Sequence, residues 1–415
     1  MLTRSSPTIL INDIFYRSIF CTFWLYFYAF RELLGNQRIL DYAVIIIVFV
    51  SFISLIIEHS GSTRLFFVLA PLIVPLCIGF ILSSHADDIL FICKTCFLLT
   101  YFALYIRVVK LSIIEYISFS LPLLITLFFL FNPRASNHSL ERLSGIDEPN
   151  FTSLSLIYCL SASFSIYLFT SSFKMKLISI FASFLSIICI LLTQSRAGLV
   201  SSLIAIVIFL LIKIGFRFTF ICIMLLSTFL IILPDIYVTH NIPLFQRFHS
   251  DNNELDLGAL TNNRDVLAEK AIDDIINGAW FISGSPQRVH DWGQYSSFNV
   301  PHNSFLDIGI AFGKAPFYIY IAYFVGLLAL NIRIVVLFRV RRVTSPHYII
   351  GALFFLSLTP MYLSLSAGMA MSFLIWLSFG AYPFLMITDP IISRSHTHIT
   401  RRIYKPQVSS AINNY

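Results

Sequence analysis

The chain of 415 residues is strongly apolar: hydrophobic residues make up 57% of it, charged residues only 12%, and the mean hydropathy is +0.82. Soluble domains use roughly 25% charged residues, so this composition excludes a water-soluble globular protein. The formal net charge of +7 belongs largely to loops between apolar runs, which argues against a nucleic-acid-binding surface. The composition therefore indicates an integral membrane protein.

Continuous apolar runs recur along the chain, with lengths close to the roughly 17–25 residues that a helix needs to cross hydrocarbon. They lack the period-two alternation of a β-barrel, so the predicted fold class is all-α, a polytopic protein with about twelve transmembrane helices. The predicted spans are Ile14 to Phe30, Tyr42 to Ile57, Leu65 to Leu82, Ile89 to Ile106, Ile113 to Phe131, Phe151 to Phe173, Leu177 to Leu192, Leu199 to Ile212, Phe218 to Leu233, Phe317 to Leu337, Tyr348 to Leu365 and Met369 to Ile387. We expect one integral membrane domain over residues 1–415.

Basic residues in alternate loops orient the chain, because Lys and Arg near span ends tend to stay on the cytoplasmic side. With the N-terminus inside, Lys213 and Arg217 lie on the cytoplasmic face, and acidic loops such as the one with Asp87 face outward. Arg31 in the first outer loop runs against the pattern. The even span count places both termini inside and the long loop 234–304 outside.

The fragment Gln194-Ser195-Arg196-Ala197-Gly198 puts a cation in a short turn between two spans. The planar fork of a guanidinium suits recognition of phosphate or carboxylate at the membrane face. The alternative is an interfacial Arg196 that reaches toward water or lipid headgroups. Arg196 is thus a candidate ligand-binding residue.

A second candidate, Pro301-His302-Asn303-Ser304, lies where the long loop re-enters the membrane. Asn303 or Ser304 is suited to cap the helix that follows. A helix N-terminus favours the neutral form of a neighbouring histidine, which suits His302 to act as a base. The alternative is a histidine that only closes a polar turn.

Two further arginines fall on the same outer face. Arg264 begins an amphipathic stretch, 263–276, that suits a helix at the membrane surface, and Arg142 precedes the sixth predicted span. Each alone is ordinary surface charge. Together with Arg196 and His302 they form a set of cations and one base that is suited to bind a diphosphate and deprotonate a hydroxyl.

At these residues the sequence resembles the O-antigen ligase and O-antigen polymerase superfamily of membrane glycosyltransferases. The resemblance is carried by Ser195-Arg196-Ala197-Gly198, by Arg264 in the long loop, and by His302-Asn303 followed by Gly313. Two positions depart from the ligase pattern. Pro316 stands where Gly, Thr or Tyr is expected, and leucine follows the loop arginine by three residues instead of four.

The resemblance implies that Arg196 and Arg264 hold the diphosphate of the donor and that His302 is the catalytic base on the acceptor hydroxyl. Arg142 and Asn303 complete the predicted substrate-binding set. Neither a metal nor another cofactor is expected, and the long loop has no obvious cluster of carboxylates suited to magnesium.

The expected donor is a glycan linked to undecaprenyl diphosphate, and the expected acceptor is lipid A core in lipopolysaccharide biosynthesis. An O-antigen or surface polysaccharide polymerase, whose acceptor is a second lipid-linked glycan, stays open as an alternative, and a transporter or flippase is a further one. The predicted location is the bacterial inner membrane, among membrane lipids, with loop 234–304 in the periplasm. No nucleic-acid partner is expected.

Overall fold

The computed structural model describes residues 149–217, 219–221, 224, 264–282, 288–289, 291–292, 303–339 and 346–362, together with positions 74, 78 and 81. Apart from positions 74, 78 and 81, the predicted spans before residue 149 and after residue 368, and most of the one from Phe218 to Leu233, lie outside the described residues. The main helices are α1 Pro149–Phe169, α2 Phe173–Thr193, α3 Arg196–Lys213, α4 Arg264–Asn277, α5 Ser304–Phe312, α6 Lys314–Arg339, α7 Pro346–Ser357 and α8 Thr359–Tyr362. No strand occurs in this part of the chain, which confirms the all-α prediction for it.

Four of the described helices are long and apolar enough to cross a membrane: Thr152–Phe169, Phe173–Thr193, Arg196–Lys213 and Lys314–Phe338. They correspond to four of the spans predicted from hydropathy. These helices support the prediction of a membrane protein. The total of about twelve spans is a prediction from the sequence alone.

The predicted span from Tyr348 to Leu365 is interrupted, because α7 ends at Ser357 after 12 residues and is too short to cross alone. Pro360 has no N–H to donate to the carbonyl of Leu356, so one hydrogen bond of a continuous helix is lost at this position. The Thr359 hydroxyl donates to that carbonyl instead, at 3.0 Å. Hydropathy alone could not locate this break.

Helix α2 presents small residues to its neighbours and large ones outward. Its buried residues include Ser179, Ala182, Ser183, Ser186, Cys189 and Thr193. On the other side, Phe181 and Phe184 are more than 60% exposed. Small side chains let membrane helices approach closely, and large apolar side chains pack favourably against lipid. The sequence of α2 therefore determines which of its faces packs against α1.

Helices α1 and α3 run parallel. Ser153 lies against Gly198 near their starts, and the Phe164 and Phe209 rings stack at 4.3 Å one level further along. The spacing from Ser153 to Phe164 in α1 equals the spacing from Gly198 to Phe209 in α3. The two helices therefore keep a constant register. Helix α2 lies between α1 and α3 in the sequence and runs antiparallel to both.

Helix α6 also starts at the end of the bundle where α1 starts. The Phe338 ring, near the C-terminus of α6, lies 5.2 Å from Phe169 at the C-terminus of α1. We call the end with the starts of α1 and α6 and the α2–α3 turn the turn end. The opposite end, where α1, α3 and α6 finish and α2 begins, is the basic end.

Candidate active site

The α2–α3 turn holds Arg196 by a short chain of polar contacts. Gln194 adopts a left-handed conformation with φ 51°, which ends α2. Ser195 then caps α3, because its hydroxyl accepts a hydrogen bond from the Gly198 N–H at 3.1 Å. The Ser195 N–H donates to the Thr193 hydroxyl at 3.2 Å. Arg196 is therefore the first residue of α3, half-buried at the helix N-terminus.

Gly198 sets the distance between α3 and α1. A Cβ atom at this position would lie 2.7 Å from both Cβ and Oγ of Ser153, far inside van der Waals contact. The Ser153 hydroxyl is in turn hydrogen-bonded to the Thr193 hydroxyl at 2.8 Å. The glycine two residues after Arg196 thus lets α1 approach the turn and fixes the arginine relative to two helices.

Asn303 caps α5. Its side-chain oxygen accepts hydrogen bonds from the backbone N–H groups of Phe305 and Leu306, at 3.0 and 3.3 Å. The structure therefore selects Asn303 over Ser304 as the cap. Since the cap uses the acceptor oxygen, a direct contact of this side chain with substrate would come from its amide nitrogen.

Helix α5 folds back along α6. The Phe305 ring lies 5.0 Å from Phe324, edge to face, although Phe324 is ten positions past the start of α6. Phe324 contacts Phe355 of α7 at 5.2 Å, and the neighbouring Phe354 contacts Tyr158 of α1 at 4.9 Å. The start of α5, with its cap, therefore points toward the bundle instead of away from it.

The positions along α1 give the relative depth of these two features. The α2–α3 turn packs at the level of Ser153, and the aromatic contacts of α7 lie at the level of Tyr158, five residues later. Five helical residues rise about 7.5 Å. The aromatic contact of α7 therefore lies about 7.5 Å further along α1 than the turn that carries Arg196.

A backbone clamp joins the segment after α4 to the α5–α6 junction. Three hydrogen bonds form it: Ile282 N to Phe312 O at 2.9 Å, Lys314 N to Ala279 O at 3.2 Å and Ala315 N to Trp280 O at 3.0 Å. Gly313 lies between them with φ 99°, and a Cβ there would lie 2.8 Å from the Trp280 carbonyl oxygen. Only glycine fits this backbone conformation and this space. The glycine singled out in the sequence thus holds two segments of the chain together.

The Lys314 side chain reinforces the clamp. Its Nζ donates to the carbonyl of Ile276 at 2.8 Å and lies 5.1 Å from the centre of the Trp280 ring. This bond satisfies one of the last carbonyls of α4, which have no partner within the helix. The end of α4 is therefore held at the start of α6.

Helices α4 and α5 run in the same direction. Gly309 meets the Ile275 side chain, and four residues later in both segments Gly313 meets the carbonyl of Ala279. Counting back in this register, Arg264 at the start of α4 lies five residues, or about 7.5 Å, beyond the level of Asn303. The clamp therefore holds α4 alongside α5 in a fixed register.

The exposed side of α4 is mixed. Its buried residues are Leu267, Ala271 and Ile275, whereas Glu269, Lys270, Asp273 and Asp274 are exposed. Exposed charges are stable beside water or lipid headgroups, so this side of α4 is suited to the membrane surface.

The structure describes some of the predicted site residues and not others. Arg196 and Asn303 are described with their side chains, and Arg264 is placed only as the first residue of α4. His302 and Arg142 lie outside the described residues, although His302 directly precedes the α5 cap. Within the ranges that the structure does describe, no three His, Cys, Asp or Glu residues lie together as a metal site.

The sequence reasoning missed three residues that position this region: Ile275, Trp280 and Lys314. A signal existed for Ile275, because it continues the apolar series Leu267 and Ala271 at helical spacing. Leu267 follows Arg264 by three residues and still falls on the buried face.

Pro316, the other departure from the ligase pattern, lies in the first turn of α6. Helix N–H groups have no intrahelical partner there, so a proline is tolerated without a kink.

Residues 181–321 match the family model described as O-antigen ligase (Wzy_C). The matched segment contains α3 with its turn, α4, the clamp and the start of α6. No curated protein and no solved structure matches the chain. The match supports an O-antigen ligase or polymerase type of function, carried out with lipid-linked glycans in lipopolysaccharide biosynthesis.

Proposed function

We propose that this chain, whose match supports the O-antigen ligase and O-antigen polymerase superfamily, moves a glycan from undecaprenyl diphosphate to a hydroxyl of lipid A core. The observation that carries the proposal is the O-antigen ligase match over residues 181–321, within which three candidate residues lie at or next to helix starts. Arg196 begins α3, Arg264 begins α4, and His302 directly precedes the cap of α5.

Helix N-termini suit the donor because its diphosphate is strongly anionic. Unpaired N–H groups and the helix dipole attract negative charge, and an arginine there adds a fork that can bind two oxygens. Arg196 and Arg264 each combine both features. Arg142, which lies outside the described residues, is proposed as a third cation for the same diphosphate.

His302 is proposed as the base. It takes the proton of the acceptor hydroxyl while the oxygen bonds to the anomeric carbon of the donor sugar. The bond from that carbon to the diphosphate breaks, and undecaprenyl diphosphate leaves with the bonding electrons. The arginines stabilise the charge that develops on the leaving group, so the proposal needs no metal.

Asn303 has a positioning role in this proposal. Its oxygen is committed to the α5 cap, which fixes Asn303 itself, the residue that follows His302 in the sequence. The amide nitrogen stays suited to hydrogen-bond a sugar hydroxyl.

The proposed location is the inner membrane, with both termini cytoplasmic and the turn end in the periplasm. Lysines and arginines of the described helices concentrate at the basic end, which the positive-inside tendency assigns to the cytoplasm. The site at the turn end would then meet lipid-linked glycans that have already crossed the membrane.

A polymerase would use the same donor chemistry with a different acceptor, so deletion of the gene in its own host separates the two functions. Loss of all O-chain bands on lipopolysaccharide, with lipid-linked polymer accumulating, identifies the ligase. A single repeat unit retained on the core identifies the polymerase. Unchanged lipopolysaccharide would contradict both.

A transporter or flippase is disfavoured by the charge distribution of the four described spans, whose Lys and Arg lie mostly near helix ends.

A further inference from the structure

The helices of the bundle carry basic residues but belong to stretches of sequence without acidic residues. Residues 149–234 and 308–388 contain no Asp or Glu. At the basic end they contribute Lys174, Lys176, Lys213, Arg217, Arg333 and Arg339. A charge of this size at the end of membrane spans attracts anionic groups from its surroundings.

Two of these lysines are drawn to one aromatic ring. The Nζ atom of Lys213 lies 5.1 Å from the centre of the Tyr167 ring, and Nζ of Lys176 lies 5.9 Å from it. The lysines belong to different helices, α3 and α2, and the ring belongs to α1. The face of an aromatic ring attracts ammonium groups, so Tyr167 gathers two like charges that would otherwise separate.

The Tyr167 ring is itself held in place. It meets Phe209 edge-on at 5.8 Å, and Phe209 stacks on Phe164 at 4.3 Å. This stack joins α1 to α3, so the position of the ring that the two lysines approach follows from the packing of the bundle. A preformed pair of cations binds an anion with less loss of side-chain freedom than flexible surface lysines do.

Exposed apolar residues flank the same place. Phe173 begins α2 and is 79% exposed, and Phe216 follows the end of α3 and is 65% exposed. A ligand that fits both features has an anionic phosphate and apolar chains. The chemistry is that of a phospholipid headgroup at the membrane surface.

We propose that Tyr167, Lys176 and Lys213 form a binding site for the phosphate of an anionic phospholipid in the leaflet at the basic end. The ammonium groups bind the phosphate, Tyr167 keeps them together, and the acyl chains run along the exposed faces of α2 and α3. The site is separate from the proposed glycosyl-transfer site at the turn end and does not depend on it.

The test uses the purified full-length protein in detergent and counts retained lipids by native mass spectrometry. Phosphatidylglycerol should bind in preference to phosphatidylcholine. Lys176→Gln and Lys213→Gln should each lower its affinity at least tenfold, whereas diffuse attraction alone gives about fivefold per lysine. Tyr167→Leu should match the lysine variants, and Tyr167→Phe, which retains the ring, should bind like the wild type.

Lys174→Gln is the matched control, because it removes the same charge from the same turn of α2. It should change affinity less than about fivefold. Equal effects of Lys174→Gln and Lys176→Gln would show diffuse attraction and overturn the site. Displacement of the lipid by millimolar inorganic phosphate would show a simple ion site and also overturn it.

Thermal unfolding without added lipid shows whether each variant folds. If Tyr167→Leu does not fold, the two lysine variants and the control still decide the outcome.

Discussion

The Gly309→Ala substitution tests whether the contact between α4 and α5 sets the geometry of the proposed site. A Cβ at residue 309 would lie 2.5 Å from Cδ1 of Ile275 and 2.9 Å from its Cγ1. Carbon atoms in contact are separated by about 3.5–4.0 Å, so the Ile275 side chain or α4 must move by about 1 to 1.5 Å. Overpacking of this kind costs about 1–3 kcal/mol of stability.

The substitution should lower the activity of protein that is still folded. If α4 moves as a unit, Arg264 at its start moves with it, and a 1 Å misplacement in an active site costs on the order of 100-fold in rate. We expect Gly309→Ala to insert into the membrane normally and to transfer glycan about 100-fold more slowly. The assay compares initial rates of transfer at equal amounts of folded protein.

A compensating substitution separates this explanation from general damage. Ile275→Val removes Cδ1, the atom closest to the added methyl group, and alone should cost about 0.5–1.5 kcal/mol of stability. The double variant should transfer faster than Gly309→Ala alone. Full activity of the single variant, or no recovery in the double variant, would refute the role of this contact.

Three further predictions concern the proposed residues and the topology. Arg196→Ala and Arg264→Ala should each lower the rate of transfer at least about 100-fold at normal membrane abundance. Lysine at either position should restore little activity, because a point charge does not replace the guanidinium fork. The matched control Arg217→Ala should retain activity. His302→Ala should lower the rate by about 100- to 10,000-fold with donor affinity retained, and loss of donor binding as complete as in Arg264→Ala would exclude a base. A cysteine at Ser250 should react with an impermeant reagent in cells with an intact inner membrane, and labelling only after permeabilisation would reverse the topology.

Hydropathy predicted the spans α1, α2, α3 and α6, because a helix in lipid needs a continuous apolar run regardless of its partners. The amphipathic stretch 263–276 likewise forms α4, Arg264–Asn277, since its polar and apolar residues alternate with helical period. Both signals are local in sequence. The break of the predicted span at Pro360 has a local signal too, which the apolar run around it obscured.

The contacts that organise the site could not be predicted from sequence. The clamp pairs the backbone around Ala279 with that around Lys314, and backbone hydrogen bonds leave no trace in side-chain type. Gly313 is the exception, because its positive φ requires a glycine. The fold-back of α5 along α6 depends on Phe305 meeting Phe324, a pairing that only the three-dimensional structure reveals.

Reconstituted transfer tests the central claim most directly. Purified protein in liposomes is given a glycan linked to undecaprenyl diphosphate and lipid A core as acceptor, and glycosylated core and released undecaprenyl diphosphate are both quantified. We predict that the wild-type protein forms the two products in equal amounts without added metal. The Arg196→Ala and His302→Ala variants should form both products much more slowly than the wild type. Absence of transfer by the folded wild-type protein, or undiminished transfer by both variants, would contradict the account.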